Sequence, residues 1–585
     1  MGEVRERPQT LIHLCFLAIA VGVIAGVGAW AFRMLIGLVH NAFFLGILQA
    51  QYDTSAHTPA SPFGLGIILA PVLGSIVVTW LVQTFAPEAK GHGVPEVMDA
   101  IHYGGGRIRP VVAAVKSLAS AISIGSGGSV GREGPIIQIG AAFGSTLGQL
   151  LAIPQRQRIT LIAAGAGAGI AATFNAPLGG VLFAIELLLV SVNIRNLLPV
   201  TLATVVATYI GRALLGTTPA FDFPPLAVND FHLTNPWLLT LFLPLGLVLG
   251  LAAVVFVRSI YWFEDGFDRL PVNPYVRHML GMLGVGILIY VLLRTTGHYY
   301  VQGVGYATIM DIVRRTLTSP GLLLLLLGLK LLATCLTLGS GGSGGVFSPA
   351  LFTGACLGAA CGHVCQVLVP GISIDVVTFA LAGMAAMVGA STGAILTATV
   401  MLQEMTYDNN VILPVLITTI VAAAVRKVIS PESIYTLKLV RRGHVVPDSL
   451  QTSFDDARRV RHVMSTDFAV RDLAASESAE PAGGTNEVTL LTRDGYVQGV
   501  VRAGDAAASG GQEEPVQAQF VVVAPETELN ATLRSMRATG ASCALVTKSA
   551  VAIAQPDQLR ASDVSGVLTL HDVGRYHANL AELYS

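Results

Sequence analysis

Charge is scarce in this sequence of 585 residues: only 12% of its side chains are Asp, Glu, Lys or Arg, about half the share of an average soluble domain. With 35 Lys+Arg against 36 Asp+Glu, no positive excess is left to neutralise phosphates, which excludes a polybasic nucleic-acid binder. Cysteine is scarce too. The six, Cys15, Cys335, Cys356, Cys361, Cys365 and Cys543, are scattered, and five fall in apolar runs where disulfide frameworks are not built. Cys361-Gly-His-Val-Cys365 lacks the second ligand pair of a zinc site and reads as packing. No Gly-Lys-Ser/Thr ending follows any glycine-rich stretch, so a phosphate-loop enzyme is excluded as well.

What the chain has in abundance is apolar sequence, 53% of residues with a mean hydropathy of +0.65, and this makes it a membrane protein. The charge is unevenly spread. Residues 447–585 hold 18 acidic and 11 basic side chains, leaving 18 and 24 for residues 1–446. A sparsely charged, net-positive membrane part therefore precedes a net-negative tail that reads as a soluble domain. Arg5 and Arg7 ahead of the apolar Leu11–Val39 could suggest a secretory signal, but that stretch is too long and many more follow. It is the first membrane helix.

Further apolar stretches cover Pro62–Val82, Pro110–Ile124, Ile159–Val190, Leu197–Leu215, Trp237–Val257, Met279–Leu293, Gly321–Leu338 and Val411–Val425. Several are too short or too glycine-rich to cross about 30 Å of hydrocarbon as one straight helix. Helices that stop part-way leave backbone groups that lipid cannot satisfy, so their ends must face protein or water. A polar pathway inside the protein is expected.

An internal repeat sharpens this. Gly125-Ser-Gly-Gly-Ser-Val-Gly-Arg-Glu-Gly-Pro135 aligns with Gly339-Ser-Gly-Gly-Ser-Gly-Gly-Val-Phe-Ser-Pro349 at an offset of 214, matching at seven of eleven positions. The match runs on through Gly140/Gly354, Gly144/Gly358 and Gly148/Gly362, and after a four-residue slip Glu186 falls opposite Glu404. Two halves, about 11–216 and 236–440, each with a Gly/Pro-interrupted segment in the same place, point to a transporter with its site where the halves meet.

Glycine-rich loops that open helices present clustered N–H groups and the positive end of a helix dipole, which suits an anion. The plainer alternative is that glycine and serine only let helices approach closely in lipid. The duplication, the two terminal prolines and the ionisable Arg132–Glu133 pair in an apolar setting favour the anion site. Glu133 stands out because a carboxylate at a helix N-terminus competes with an anionic substrate until it is protonated or moves away. That would make it a gate; a salt bridge with Arg132 is the alternative, although sequence neighbours rarely face each other on a helix. An intramembrane serine hydrolase is a remote alternative, since Gly341-Gly-Ser-Gly-Gly345 and Gly389-Ala-Ser-Thr-Gly393 both satisfy G-x-S-x-G. A nucleophile elbow needs a strand-to-helix turn, and the surroundings of Ser391 predict helix.

Lys90-Gly-His-Gly-Val-Pro-Glu96, Gly131-Arg-Glu-Gly-Pro135, Gly345-Val-Phe-Ser-Pro349 and Ile434-Tyr435 occur in the order of the CLC family of chloride channels and chloride/proton antiporters. Phe174-Asn-Ala-Pro-Leu178 and Leu402-Gln-Glu-Met405 fit the same family, so the chain resembles it over roughly residues 10–440. The resemblance implies an all-α polytopic fold of two inverted halves with many tilted and broken helices, no required cofactor, and a homodimer with one pathway per subunit. It implies a central anion held by N–H groups of Val346 and Phe347, the Tyr435 hydroxyl and the side chain of His92. An outer site would use N–H groups around Arg132, Glu133 and Gly134, with Glu133 as gate. Neutral dipoles bind a halide without the trap a full positive charge would make. The implied function is transport of chloride or a similar small monovalent anion, channel-like or weakly proton-coupled, with strict chloride/proton antiport as the alternative.

Two departures from the family pattern matter. His92 stands where the family usually places serine; its imidazole either lines the site, adding bulk and a group that titrates near neutrality, or turns away. Leu187 stands where proton-coupled relatives commonly carry an inner glutamate, and leucine cannot relay a proton. The preceding Glu186 reads as a structural hydrogen-bonding residue, like its repeat partner Glu404.

In the tail, Tyr496–Val501, Ala518–Val523 and Cys543–Thr547 read as strands and Glu526–Thr539 as a helix with Leu529, Leu533 and Met536 on one face. Gly499-Val-Val-Arg-Ala-Gly-Asp505 recurs as Gly566-Val-Leu-Thr-Leu-His-Asp572, and Gly510–Pro515 reads as a loop. The tail resembles a pair of CBS domains starting near Val463–Thr466, which implies either an adenine-nucleotide site, with Asp505 or Asp572 reaching a ribose hydroxyl, or a purely structural module. The expected organisation is a membrane domain over 1–445, a linker over 446–460 and a small α/β domain over 461–585. Lys438, Arg441 and Arg442 beside the last span predict a cytoplasmic tail and a plasma (inner) membrane location.

Overall fold

The computed structural model describes residues 9–190, 192–216, 236–368, 374–444, 459–472, 488–502, 519–548, 559–569 and 572–573. The chain forms two compact units, Met1–Ser449 and Leu450–Ser585.

In the first unit, Thr10 starts α1 (Leu11–Leu45) by accepting the His13 N–H on its side chain, and Gly46, at φ 71°, ends it in the left-handed region that glycine adopts freely. The first half continues with α2 (Leu69–Phe85), α3 (Val94–His102), α4 (Val111–Gly125), α5 (Glu133–Leu150), α6 (Gln155–Phe174), α7 (Pro177–Phe183, followed by a π turn over Ala184–Leu188) and α8 (Ile194–Leu215). The second half answers in the same order. It comprises α9 (Phe242–Asp268), α10 (Pro274–Thr296), α11 (Tyr306–Val313), α12 (Pro320–Ser340), α13 (Phe347–Leu368), α14 (Val376–Thr392), α15 (Ile395–Thr406) and α16 (Ile412–Ile429), with a short α17 (Thr436–Arg441) beyond. Eight helical stretches among the described residues are long and apolar enough to cross a membrane. Helices α3, α7 and α11, at 9, 7 and 8 residues, are not. The apolar run Ile159–Val190 is not one helix: Asn175 takes φ 59° and Pro177 begins the next helix, so the chain turns inside the run.

The two halves are related by an approximate twofold axis, and equivalent residues touch across it. Gly131 and Gly345, 214 positions apart, form an antiparallel pair in which each N–H donates to the other's carbonyl, at 2.7 and 2.6 Å. Equivalent residues paired antiparallel are related by a twofold axis between them. The same relation recurs outward. Ser129 Oγ donates to the Val301 carbonyl of the second half (2.8 Å), and Ser343 Oγ to the Ala89 carbonyl of the first (2.7 Å). The Leu396 and Thr397 N–H groups donate to Glu186, while the Leu178 and Gly179 N–H groups donate to Glu404. Each glutamate thus caps the other half's short helix, supplying the acceptor that a helix N-terminus lacks.

Close helix contact is made at duplicated glycines. A Cβ on Gly140 of α5 would lie 2.1 Å from the Gly165 carbonyl oxygen of α6, and one on Gly354 of α13 would lie 2.2 Å from the Gly383 oxygen of α14. Only hydrogen fits there, which is how helices approach without a hydrophobic drive between them in lipid.

The tail unit holds two three-stranded sheets of identical plan. Strand β1 (Ala469–Asp472) runs parallel to β2 (Val488–Arg493), which pairs antiparallel with β3 (Tyr496–Arg502). Strand β4 (Phe520–Val523) runs parallel to β5 (Cys543–Thr547), which pairs antiparallel with β6 (Val564–Thr569). Helix α18 (Leu529–Thr539) joins β4 to β5, burying Leu529 and Met536. It starts later than the sequence suggests because the Pro525 and Thr527 carbonyls accept the Arg461 and Val460 N–H groups, which takes them out of a helical ladder. Gly499 and Gly566, the heads of the short sequence repeat, both lie in third strands. Val488, Leu490 and Val500 of one sheet pack with Leu545, Val564 and Val567 of the other. Asp505 and Gly510–Pro515 lie outside the described residues, as does nearly all of 446–460.

Candidate functional site

Four helices of the first unit, α3, α5, α11 and α13, begin just after His92, Arg132, Gly305 and Val346. The loops that start α3 and α11 are held by two buried ammonium groups. Lys116 Nζ donates to the carbonyls of Ala89 (3.0 Å) and Gly91 (2.7 Å), and Lys330 Nζ to those of Val301 (3.0 Å) and Gly303 (2.8 Å). Lys116 and Lys330 are themselves 214 residues apart.

At that centre α5 and α13 meet. A Cβ on Gly134 would lie 2.3 Å from the His92 carbonyl oxygen and 3.0 Å from the Gly345 Cα, so this position admits no side chain. Helix α13 begins at Phe347, so the N–H groups of Val346 and Phe347 are among those the helix itself cannot satisfy.

Glu133 is fully buried between these ends. Its Oε1 accepts hydrogen bonds from the Tyr306 hydroxyl at 2.5 Å and the Ser348 hydroxyl at 2.6 Å, and those two hydroxyls lie 3.0 Å apart. Its Oε2 is buried without a partner. Arg132 does not pair with it: the guanidinium lies over the Tyr306 ring, 5.3 Å from the centroid. The salt-bridge alternative for these neighbours is therefore not the arrangement found.

His92 is buried, with Nδ1 unpartnered and its ring centroid 6.1 Å from that of Tyr435 and 6.3 Å from that of Tyr261. Tyr261 in turn donates to the Ile434 carbonyl at 2.5 Å, tying α9 to the segment that carries Tyr435. Tyr261 also lines a cavity of about 610 Å³ whose other walls include Lys90, Lys438, Arg441, Arg442, Glu96 and Asp265. The helix after Tyr435 is fastened over this cavity by ion pairs, Arg442 with Glu96 at 2.6 Å and Arg441 with Asp265 at 2.8 Å. The structure thus brings His92, Arg132, Glu133, Gly134, Val346, Phe347 and Tyr435 into one neighbourhood. Leu187 is elsewhere: it is buried in the π turn after α7, beside the capping Glu186.

Sequence reasoning missed Tyr306, Ser348, Lys116 and Lys330. The two lysines carried a usable signal, as lone cations in apolar runs at the repeat offset; Tyr306 carried none. The remaining candidates sit in ordinary structural roles. Ser391 lies in the last turn of α14 with its hydroxyl donating to the Val388 carbonyl, and no strand-to-helix turn surrounds it. The Ser343 hydroxyl donates to Ala89. In the tail, Asp572 is buried and its Oδ2 accepts from the Thr569 N–H (2.9 Å) and hydroxyl (2.7 Å), so that carboxylate closes its own turn rather than presenting itself to a ribose.

Comparison with known proteins gives one family. A family model described as voltage gated chloride channel matches residues 74–427. The H(+)/Cl(-) exchange transporter ClcA of Vibrio parahaemolyticus is 31% identical over 454 residues, covering 74% of this chain and 91% of that protein. Among solved structures, a slow cyanobacterial Cl-/H+ antiporter superposes with a TM-score of 0.63 at 26% identity, covering 74% of this chain and 99% of that one. A eukaryotic CLC transporter shares the fold over 96% of this chain and 98% of its own, with a TM-score of 0.61 at 19% identity.

Proposed function

The chain belongs to the voltage-gated chloride channel (CLC) family of anion transporters, and from that premise we propose that it carries chloride or a similar small monovalent anion past a gate made by Glu133, with at most loose proton coupling. One observation carries the reading. The buried Glu133 carboxylate lies where the N-termini of two equivalent helices converge, the place such dipoles would hold an anion, and it is kept there by two hydroxyl donors. While it stays, it stands in for the substrate; protonation or a side-chain swing vacates the place. Val346 and Phe347 N–H groups, the Tyr435 hydroxyl and His92 would receive the ion next, with Arg132 and Gly134 backbone on the outer side. The cavity beside Tyr261, whose wall carries four cations and five carboxylates, would be the exit.

Loose coupling rests on Leu187, which has no proton to exchange, and on the neighbouring Glu186, whose oxygens are taken up capping α15. Strict chloride/proton exchange is the second reading, favoured by the name of the Vibrio relative. The two are separated by imposing a chloride gradient across proteoliposomes and following internal pH. Uphill proton movement at a fixed chloride ratio establishes exchange and refutes loose coupling; chloride flux with little proton movement does the reverse.

The reading extends to a homodimer with one pathway per subunit, a membrane domain over 1–445, a linker over 446–460 and a CBS-like pair over 461–585. The duplicated sheet plan supports the last of these, and the occupied Asp572 favours a structural module over a nucleotide site. Lys438, Arg441 and Arg442 at the end of the last span support a cytoplasmic tail in a plasma (inner) membrane.

A further inference from the structure

Helix α1 carries a single Lys, Arg, Asp or Glu in 35 residues, and it is Arg33. An isolated guanidinium on an apolar span is costly unless it does something. Arg33 points into a small enclosed cavity of about 10 Å³, whose walls also include Arg132, His40, Tyr52 and Thr54. Arg132 is buried, its Nε has no partner, and neither guanidinium donates a hydrogen bond or forms an ion pair with any described residue. The nearest acids answer them only in part. Asp53 is exposed with Oδ1 accepting the Ser55 N–H (2.9 Å), and Glu133 is held by Tyr306 and Ser348. Two cations facing one small space repel each other; Arg132 is buried with no ion-pair partner, whereas Arg33 is half-buried and only partly offset by Asp53.

We propose that Arg33 and Arg132 bind one small monovalent anion between them, at a site separate from the helix ends around Glu133. At about 10 Å³ the space is that of one water, which excludes phosphate esters or nucleotides and admits a halide only as the two guanidiniums part around it. Tyr52 and Thr54 stand in the same walls. The site lies on the far side of the gate from the large cavity. Helix α2, 17 residues or about 25 Å long, runs from the loop that carries Tyr52 and Thr54 to the turn with Pro87 and Glu88 in the large cavity's wall. An ion here would rest beside the residue preceding Glu133 and under the ring whose hydroxyl holds that carboxylate, queued for the moment the gate clears. This deepens the transport reading and rests on it.

The test uses the full-length protein. Crystals grown in bromide are expected to show anomalous density between the two guanidiniums; Arg33→Gln should lose that peak and keep any peak at the start of α13. In proteoliposomes, Arg33→Gln should raise the half-saturating chloride on that face about tenfold with the maximal rate within twofold, and Arg33→Lys should restore most of the affinity. Density at α13 with none at Arg33 overturns this proposal and leaves the transport reading standing, as does an unchanged half-saturating chloride in Arg33→Gln. No anion flux from the parent chain overturns both.

Discussion

Tyr306→Phe removes one oxygen and should turn the protein into a leakier one. The Tyr306 hydroxyl is one of two donors to Glu133 Oε1, at 2.5 Å, and hydrogen bonds to charged groups contribute about 1.5–3 kcal/mol. All of that favours the held position, since the carboxylate loses this donor when it swings out. Deleting it shifts the ratio of released to held gate by roughly 10- to 150-fold, at about 1.4 kcal/mol per factor of ten. If the held state dominates in the parent, chloride efflux at neutral pH rises by up to that factor until the gate no longer limits transport. The ring remains to pack and to face Arg132, so folding should be little affected. The assay is chloride efflux from proteoliposomes, started by a potassium ionophore, with parent, Tyr306→Phe, Glu133→Ala and the double variant side by side. In the Glu133→Ala background the tyrosine change should do nothing, because no carboxylate is left to hold. Efflux from Tyr306→Phe within twofold of the parent, or an equal rise in both backgrounds, would refute the latch.

His92→Ser should shift halide preference or the pH profile of flux, measured with chloride, bromide and fluoride; no change in either would take the imidazole out of the pathway. Gly140→Ala and Gly354→Ala each drive a methyl into a carbonyl oxygen and should cost about 1–3 kcal/mol or more, read as a lower melting temperature in detergent. Gly266→Ala, which meets nothing within 4 Å, is the control and should melt like the parent. Lys116→Met strips the donor from two buried carbonyls, each worth about 1–3 kcal/mol when left unsatisfied, so it should melt lower as well. Lys330→Met should match it, and a large difference between the two would break the equivalence of the halves.

Much of the architecture was legible because duplication is a one-dimensional signal. The offset of 214 between the glycine-rich segments located the pair that touches at Gly131 and Gly345, and the slip to Glu186 and Glu404 located a pair of reciprocal caps. The tail was legible in part. Its strands β3, β4 and β5 alternate or run apolar, whereas β1 is four largely exposed residues, Ala469–Asp472, that only pairing with β2 makes a strand. At the site, Glu133 could be singled out because an acid in an apolar stretch is conspicuous. Tyr306 could not, since a tyrosine 173 residues away is unremarkable until α11 brings it to the carboxylate.

Order along the chain thus sufficed for what repetition dictates: that two halves are alike, and which glycine-rich segments and which glutamates correspond between them. What it left undecided is every pairing between distant groups. Whether Arg132 neutralised Glu133 or turned to an aromatic ring, whether Asp572 faced outward or closed its own turn, and which hydroxyls held the carboxylate were settled only once the halves had packed. Hydrogen bonds act over about 3 Å, and a string of residues holds no such distances until it is folded.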